Sequence, residues 1–223
     1  MNVSRETSGS RDMTEIPVER EPAIAAELFG PTIDKARAFT AALADQGEER
    51  GLIGPLELPR LWTRHILNSV IAAPLFQGSV ADVGSGAGLP GIVLAIARPD
   101  VQWTLIEPME RRVTWLNEQV KELDLSNVTV VRARAEEVRP LAAFDVVTAR
   151  AVSALRTLIP LTAPLVRDGG EITVLKGVNA ANEISAAEKQ IKKFRLSDVR
   201  VEVLGEGVIE ETTRVIRAQV RAS

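Results

Sequence analysis

The chain has 223 residues, 45% hydrophobic and 26% charged, which suits one compact globular domain with a small extension and excludes a disordered or collagen-like chain. It has no cysteine, so disulfides, thiolate nucleophiles and cysteine-ligated zinc or iron–sulfur centres are excluded. With 27 basic and 30 acidic residues the net charge is −3, so any nucleic-acid site must be a local patch assembled from several segments, not a global field.

Residues 1–20 are polar and of mixed charge, and read as a disordered leader without the apolar stretch of a secretory signal. No apolar run approaches the roughly 20 residues of a membrane-spanning helix, and a cytoplasmic protein is expected. From Pro22 to Phe76 the apolar spacing is helical: Ile24, Leu28 and Phe29, then Ile33, Ala36, Phe39 and Leu43, then Leu58, Leu61, Trp62, Ile66 and Val70. Gly30-Pro31 and the stretch Gly51 to Pro55 punctuate it, giving a helical cap over residues 21–77. At Gly78 the period changes, and residues 78–223 form the main domain. Strands are predicted at Ser79–Val83, Val101–Glu107, Val128–Arg132, Asp145–Thr148, Glu171–Leu175, Val199–Leu204 and Thr213–Val220. Helices are predicted at Gly88–Arg98, Met109–Leu123, a short segment near Glu136–Leu141, Leu155–Val166 and Asn179–Phe194. This alternation implies an α/β fold: a doubly wound, mostly parallel, seven-stranded sheet with helices on both faces and an antiparallel pair at one edge.

The most informative stretch is Asp82-Val-Gly84-Ser85-Gly86-Ala-Gly88-Leu89-Pro90-Gly91, where the first strand turns into the first helix of the sheet domain. Ligands of doubly wound sheets bind at such a turn, and glycines there let the backbone approach them closely. Two cofactors compete for it. In one frame, Gly86-x-Gly88-x-x-Gly91 matches the dinucleotide fingerprint, with Glu107 following 16 residues later. In the other, Asp82-x-Gly84-x-Gly86-x-Gly88 is the acid-glycine pattern of S-adenosyl-L-methionine (AdoMet) methyltransferases. The second frame gives Asp82 a task, holding the cofactor's ammonium group directly or through water, whereas a pyrophosphate would be repelled. The glycines could also serve only a tight turn. Glu107, at the end of the second strand, can accept both ribose hydroxyls; it could instead be a solvent-facing neighbour of a helix start. The segment Arg132-Ala-Arg134-Ala135-Glu136-Glu137 is placed to reach an adenine edge, or merely to favour a helix start through its dipole.

Several segments together resemble the ribosomal RNA small subunit methyltransferase G family, also called glucose-inhibited division protein B. They are Arg64-His65-Ile-Leu-Asn68-Ser69, the glycine turn, Arg134-Ala-Glu136, Phe144-Asp-Val-Val-Thr-Ala-Arg150-Ala-Val152 and Leu175-Lys176-Gly177, within a match from about Arg60 to Gly177. The resemblance implies a Rossmann-like AdoMet-methyltransferase sheet, with Gly84, Leu89, Ala135, Glu136 and Arg150 at the cofactor. It implies methylation at N7 of a guanine in 16S ribosomal RNA, free or in an assembling small subunit. The sequence departs from the family at Asn68 and at Glu107-Pro108, where members commonly carry Asp and Asp-Ser.

Guanine N7 already carries an in-plane lone pair, so no general base and no metal are expected, and catalysis reduces to positioning. In A-form RNA that atom faces a deep, narrow groove, so the target should lie in a loop or distorted segment. Arg60, Arg64, Arg111, Arg112, Lys176 and Arg214 are the candidate phosphate contacts, although each alone reads more readily as a solvated surface charge. His65, the only histidine, could stack or hydrogen-bond at the target, or join cap to sheet. A nicotinamide-dependent oxidoreductase and a non-catalytic RNA-binding protein with a vestigial cofactor fold are the competing readings.

Overall fold

The computed structural model describes residues 16–138 and 144–221. Residues 1–15 of the expected leader, and 139–141 of the expected short helix, lie outside the described residues. Residues 16–20 carry no regular secondary structure but are hydrogen-bonded to the cap: the Glu19 N–H donates to the Leu58 carbonyl at 2.9 Å, and Glu19 Oε2 accepts the Thr63 N–H at 3.0 Å.

The cap comprises α1 (Ile24–Phe29), α2 (Ile33–Gln46) and a third helical stretch that is not the regular helix its periodicity predicts. It runs as a 3-10 helix over Pro55–Arg60, as a π-helical run over Leu61–Leu67 and ends in α3 (Asn68–Val70). Pro59 lies in its path, where the missing N–H and the ring against the preceding turn disfavour a regular α-helix.

Strands β1 (Ser79–Val83), β2 (Gln102–Ile106), β3 (Val128–Val131), β4 (Phe144–Thr148), β5 (Val166–Lys176), β6 (Leu196–Leu204) and β7 (Thr213–Val220) form one sheet in the order β3-β2-β1-β4-β5-β7-β6. β1 pairs in parallel with both β2 and β4, so the strand order reverses beside it and the turn at its carboxyl end lies at the switch point. The antiparallel pair is present, but β7 inserts between β5 and β6. β5 begins five residues before its predicted start, at Val166, because Gly169 and Gly170 sit in a β-bulge and do not end the strand. Gly169 has φ +72°, and a Cβ on Gly170 would lie 2.7 Å from the Asp145 carbonyl oxygen.

The connecting helices are α4 (Gly91–Ala97), α5 (Glu110–Glu122), α6 (Ala135–Val138), α7 (Leu155–Thr162), α8 (Ala180–Ala186) and α9 (Glu188–Lys193). One face of the sheet packs on α4, α5 and the cap in a single core, in which Phe39, Leu61, Ile66, Phe76, Trp103 and Trp115 are buried. The cap is therefore a layer of the domain. Burying a side chain such as Phe39 or Phe76 contributes about 1.5–3 kcal/mol, enough to weld cap to sheet. The other face carries a second core built with α6 to α9. Trp115 also donates its indole N–H to the Ala87 carbonyl at 3.0 Å, tying α5 to the glycine turn.

Candidate functional site

The turn after β1 borders a cavity of about 330 Å³ lined by Gly84, Ser85, Gly86, Leu89, Arg112 and Arg150, with Leu52, Ile53 and Gly54 of the cap opposite. Gly84 has φ +72°, a conformation that a residue with a Cβ rarely adopts. Beneath the turn lie two acids. Asp82 is fully buried; its Oδ2 accepts the Gly91 N–H at 3.1 Å, and its Oδ1 has no hydrogen-bond partner. Burial pushes its carboxyl up to about 7, and the nearby Glu107 adds to the rise. Glu107, 2% exposed, accepts the Gly86 N–H on Oε2 at 3.0 Å and the Met109 N–H on Oε1 at 2.9 Å.

This arrangement tests the two cofactors. A pyrophosphate needs the first amides of α4, yet Asp82 caps Gly91, and two carboxylates lie under the turn. A cation-bearing ligand is favoured there, and the residues present fit AdoMet. Glu107 and Asp82 act on the turn's backbone and do not line the cavity, nor does the buried Gly88. Ala135 and Glu136 begin α6 outside it; Ala135 is buried and Glu136 is exposed. If Glu107 also reaches the ribose, Glu107→Ala should weaken AdoMet by about 1–3 kcal/mol, the range for hydrogen bonds to a charged group. Calorimetry with free methionine, which has no ribose, checks this: an equal loss there would show that Glu107 acts through the turn alone.

A second cavity, of about 490 Å³, adjoins the first and is lined by Arg64, His65, Asn68, Lys176, Glu183 and Thr213 among others. Glu57, His65, Arg150 and Ala151 line both cavities. Arg150 donates from Nη1 to the His65 carbonyl (3.1 Å) and Ser69 Oγ (3.0 Å), and from Nη2 to the Arg64 carbonyl (3.1 Å) and His65 Nδ1 (2.7 Å). Burial, with repulsion from Arg64, brings its guanidinium down to about 10, still charged at neutral pH. Because arginine only donates, His65 Nδ1 is the acceptor, and the neutral ring's proton sits on Nε2, facing Glu57 Oε2 at 2.7 Å. Burial and then the Arg150 charge hold His65 down to about 4.

That depression has a sign. Below about pH 6.5 the unfolded state binds a proton that folded His65 refuses, so its contribution to stability is complete above 6.5 and is lost as pH falls through 4. Relative to His65→Gln, wild-type stability in urea should therefore rise by about 3 kcal/mol between pH 4 and 6.5 and then level off. Asp82, raised in the folded state, acts with the opposite sign: its contribution is complete below 3.8 and lost as pH rises through about 7. It cancels in the comparison. A flat difference between the two proteins would refute the neutral, buried ring.

The expected phosphate contacts are not one patch. Arg64 lines the second cavity, and Arg60 stands near it, bonded to Glu57. Lys176 lines it too, but its ammonium is committed to the Ser153 carbonyl (2.6 Å) and Glu183 (2.8 Å), and its side chain is only 9% exposed. Arg214 pairs with Lys176 across β5 and β7 without lining either cavity. Arg112 belongs to the first cavity, 4.0 Å from Glu107, and Arg111 points to the cap near Gly51. Glu57 has a signal in the sequence, its i,i+3 spacing to Arg60, whereas Glu183 meets Lys176 only through packing. Glu183 also caps α7 by accepting the Leu155 N–H at 2.7 Å. Asn68 uses Oδ1 to accept the Thr213 hydroxyl at 2.6 Å and so joins the cap to β7. Among the described residues, no group of three or more histidine or acidic side chains could hold a metal, and no helix is long and apolar enough to cross a membrane.

A switch-point glycine turn over buried acids, on a sheet closed by an inserted antiparallel strand, defines the Rossmann-like methyltransferase class. An N-methyltransferase of Bradyrhizobium japonicum shares this fold at a TM-score of 0.55 and 16% identity over 79% of this chain and 98% of its own. So does an O-methyltransferase of Thermotoga maritima, at 0.54 and 16% over 70% and 66%. Within that class the sequence is more particular. The family model of rRNA small subunit methyltransferase G matches residues 32–213, and the chain belongs to that family. It is 67% identical over 205 residues to the ribosomal RNA small subunit methyltransferase G of Leifsonia xyli, covering 92% of this chain and 98% of the relative. With the protein of that name from Corynebacterium glutamicum it shares 49% over 200 residues, 87% of this chain and 90% of the relative.

Proposed function

We propose that this protein transfers the methyl group of AdoMet to N7 of a guanine in 16S ribosomal RNA, in the cytoplasm, acting on the RNA or on the assembling small subunit. Family membership supports the reaction class, the cofactor and the RNA. The observation that carries the reading is the shared wall of the two cavities: a purine in the second can face a group held against Gly84 to Gly86 in the first, across Arg150, His65 and Ala151.

AdoMet, when bound, supplies a sulfonium methyl group open to attack by a lone pair. Gly84, Ser85, Gly86 and Leu89 would hold it, with Asp82 and Glu107 bracing the turn from beneath. Guanine N7 needs no proton removed, which agrees with His65 being engaged on both nitrogens and unsuited to act as a base. The protein's contribution is then positioning: aligning lone pair and methyl group and excluding water.

The test is transfer of labelled methyl from AdoMet to 16S RNA from a strain lacking the protein. N7-methylguanosine carries a fixed charge that weakens its glycosidic bond, so borohydride and aniline should cleave the product at one guanine, in a loop. The chemical step should show little pH dependence from about 6 to 9, apart from effects on binding such as the titration of Asp82 beneath the cofactor turn. Label on an exocyclic amine or ribose hydroxyl would overturn the N7 assignment. RNA binding without transfer would favour the vestigial reading, and binding of NADH in place of AdoMet the oxidoreductase.

A further inference from the structure

Glu57 is the carboxylate common to both cavities, and three side chains converge on it. Its Oε1 accepts from Arg60 Nη2 at 2.9 Å, and its Oε2 accepts from His65 Nε2 at 2.7 Å with Arg64 Nε at 3.3 Å. Burial works against its charge, but the hydrogen bonds from Arg60 and His65 outweigh that and hold the carboxyl below its usual range, so it is ionised at neutral pH. Arg60 and Arg64 remain 44% and 46% exposed. Each reaches Glu57 with one part of its guanidinium, Arg60 through Nη2 and Arg64 through Nε, and a guanidinium has five donors in a fixed fork. The remaining donors are available to a ligand. His65 carries the arrangement on to Arg150, which fixes it relative to the sheet.

We propose that Glu57 is a positioning residue for the RNA: its carboxylate holds Arg60 and Arg64 side by side next to the substrate cavity, so that their outer guanidinium edges meet phosphates flanking the target guanine. The inference rests on the reading of the chain as an RNA methyltransferase. Two long side chains left free on a surface must each be ordered when RNA binds, and a shared carboxylate completes that ordering beforehand. The same carboxylate also repels phosphate at long range. Its two effects on RNA affinity therefore have opposite signs, and experiment can separate them.

Glu57→Gln in the full-length protein removes one negative charge beside the RNA. If Glu57 acted only as a charge, unmodified 16S transcript would bind more tightly and with a steeper salt dependence. Under the proposal it binds about tenfold more weakly, the cost of ordering two arginines anew. The slope of log K against log salt becomes shallower by about 0.7 for each phosphate of single-stranded RNA that the arginines no longer neutralise. KM for RNA rises with little change in kcat, and Glu57→Asp recovers part of the loss. Unchanged or tighter RNA binding by a folded Glu57→Gln protein would overturn the proposal.

Should Glu57→Gln fail to fold, Arg60→Ala, Arg64→Ala and the double variant carry the test. Arginines ordered by one carboxylate lose less together than the product of their separate losses, because removing either loosens the other; independent surface charges multiply, and that result would also overturn the proposal. Failure of the functional reading looks different: the wild-type protein would then bind no AdoMet, or would transfer no methyl to RNA, whatever Glu57 does.

Discussion

Gly84→Val should abolish AdoMet binding while leaving a folded protein. Gly84 has φ +72°, where an L-residue costs about 1–2 kcal/mol and a β-branched one more. A Cβ built there lies 2.8 Å from Val152 Cγ2. Val152 is 39% exposed and its methyl is the end of a short side chain, so it can yield, and the cores on either face of the sheet are untouched. The new methyls, however, stand at the wall of the first cavity, where the cofactor must approach the backbone. Calorimetry should show no measurable AdoMet binding, with cooperative urea unfolding retained at a stability reduced by about 1–3 kcal/mol. Unchanged affinity would remove the turn from the site.

Arg150→Ala should damage both cavities and the joint between cap and sheet. Four hydrogen bonds from one guanidinium reach Arg64, His65 and Ser69, residues that precede it by more than 80 positions. Without it, His65 Nδ1 loses its donor in a partly buried place, and the cap is held by apolar packing alone at that point. A loss of about 2–4 kcal/mol is expected in urea unfolding, in the range for breaking a buried polar network. Methyl transfer should fall far more than stability alone explains, because Arg150 borders both cavities. Arg150→Lys should not rescue it: one ammonium cannot span two backbone carbonyls, a hydroxyl and an imidazole nitrogen as a planar fork does. Stability within about 0.5 kcal/mol of wild type, typical of surface substitutions, would show that the joint lies elsewhere.

Along the chain, the sequence by itself determined most of what is local. Strand and helix alternation, the turn at the end of β1 and the absence of cysteine follow from composition, periodicity and neighbouring residue types, and they suffice for the fold class. The segments from Arg64-His65 to Lys176-Gly177 sufficed for the family. Near-neighbour hydrogen bonding and side-chain period decide such features, and both are written within a few residues.

Tertiary structure alone decided the rest. Gly169-Gly170 reads as the connection before a strand that starts at Glu171, and only the close approach of the Asp145 carbonyl reveals a bulge inside β5. The two final strands read as an edge pair, and only sheet pairing places β7 between β5 and β6. Lys176 reads as a phosphate contact or a solvated charge until Glu183 and Ser153 are found around it, and the i,i+3 spacing of Glu57 to Arg60 does not show that Arg64 and His65 close on the same carboxylate. A side chain's charge is visible in sequence, but a partner distant along the chain is chosen by which surfaces the two cores bring together, and a hydrogen bond weakens steeply when donor and acceptor are misaligned. The cofactor turn was legible because its geometry is made by adjacent residues; the substrate side was not, because Arg64 and Arg150 meet only when the cap has docked.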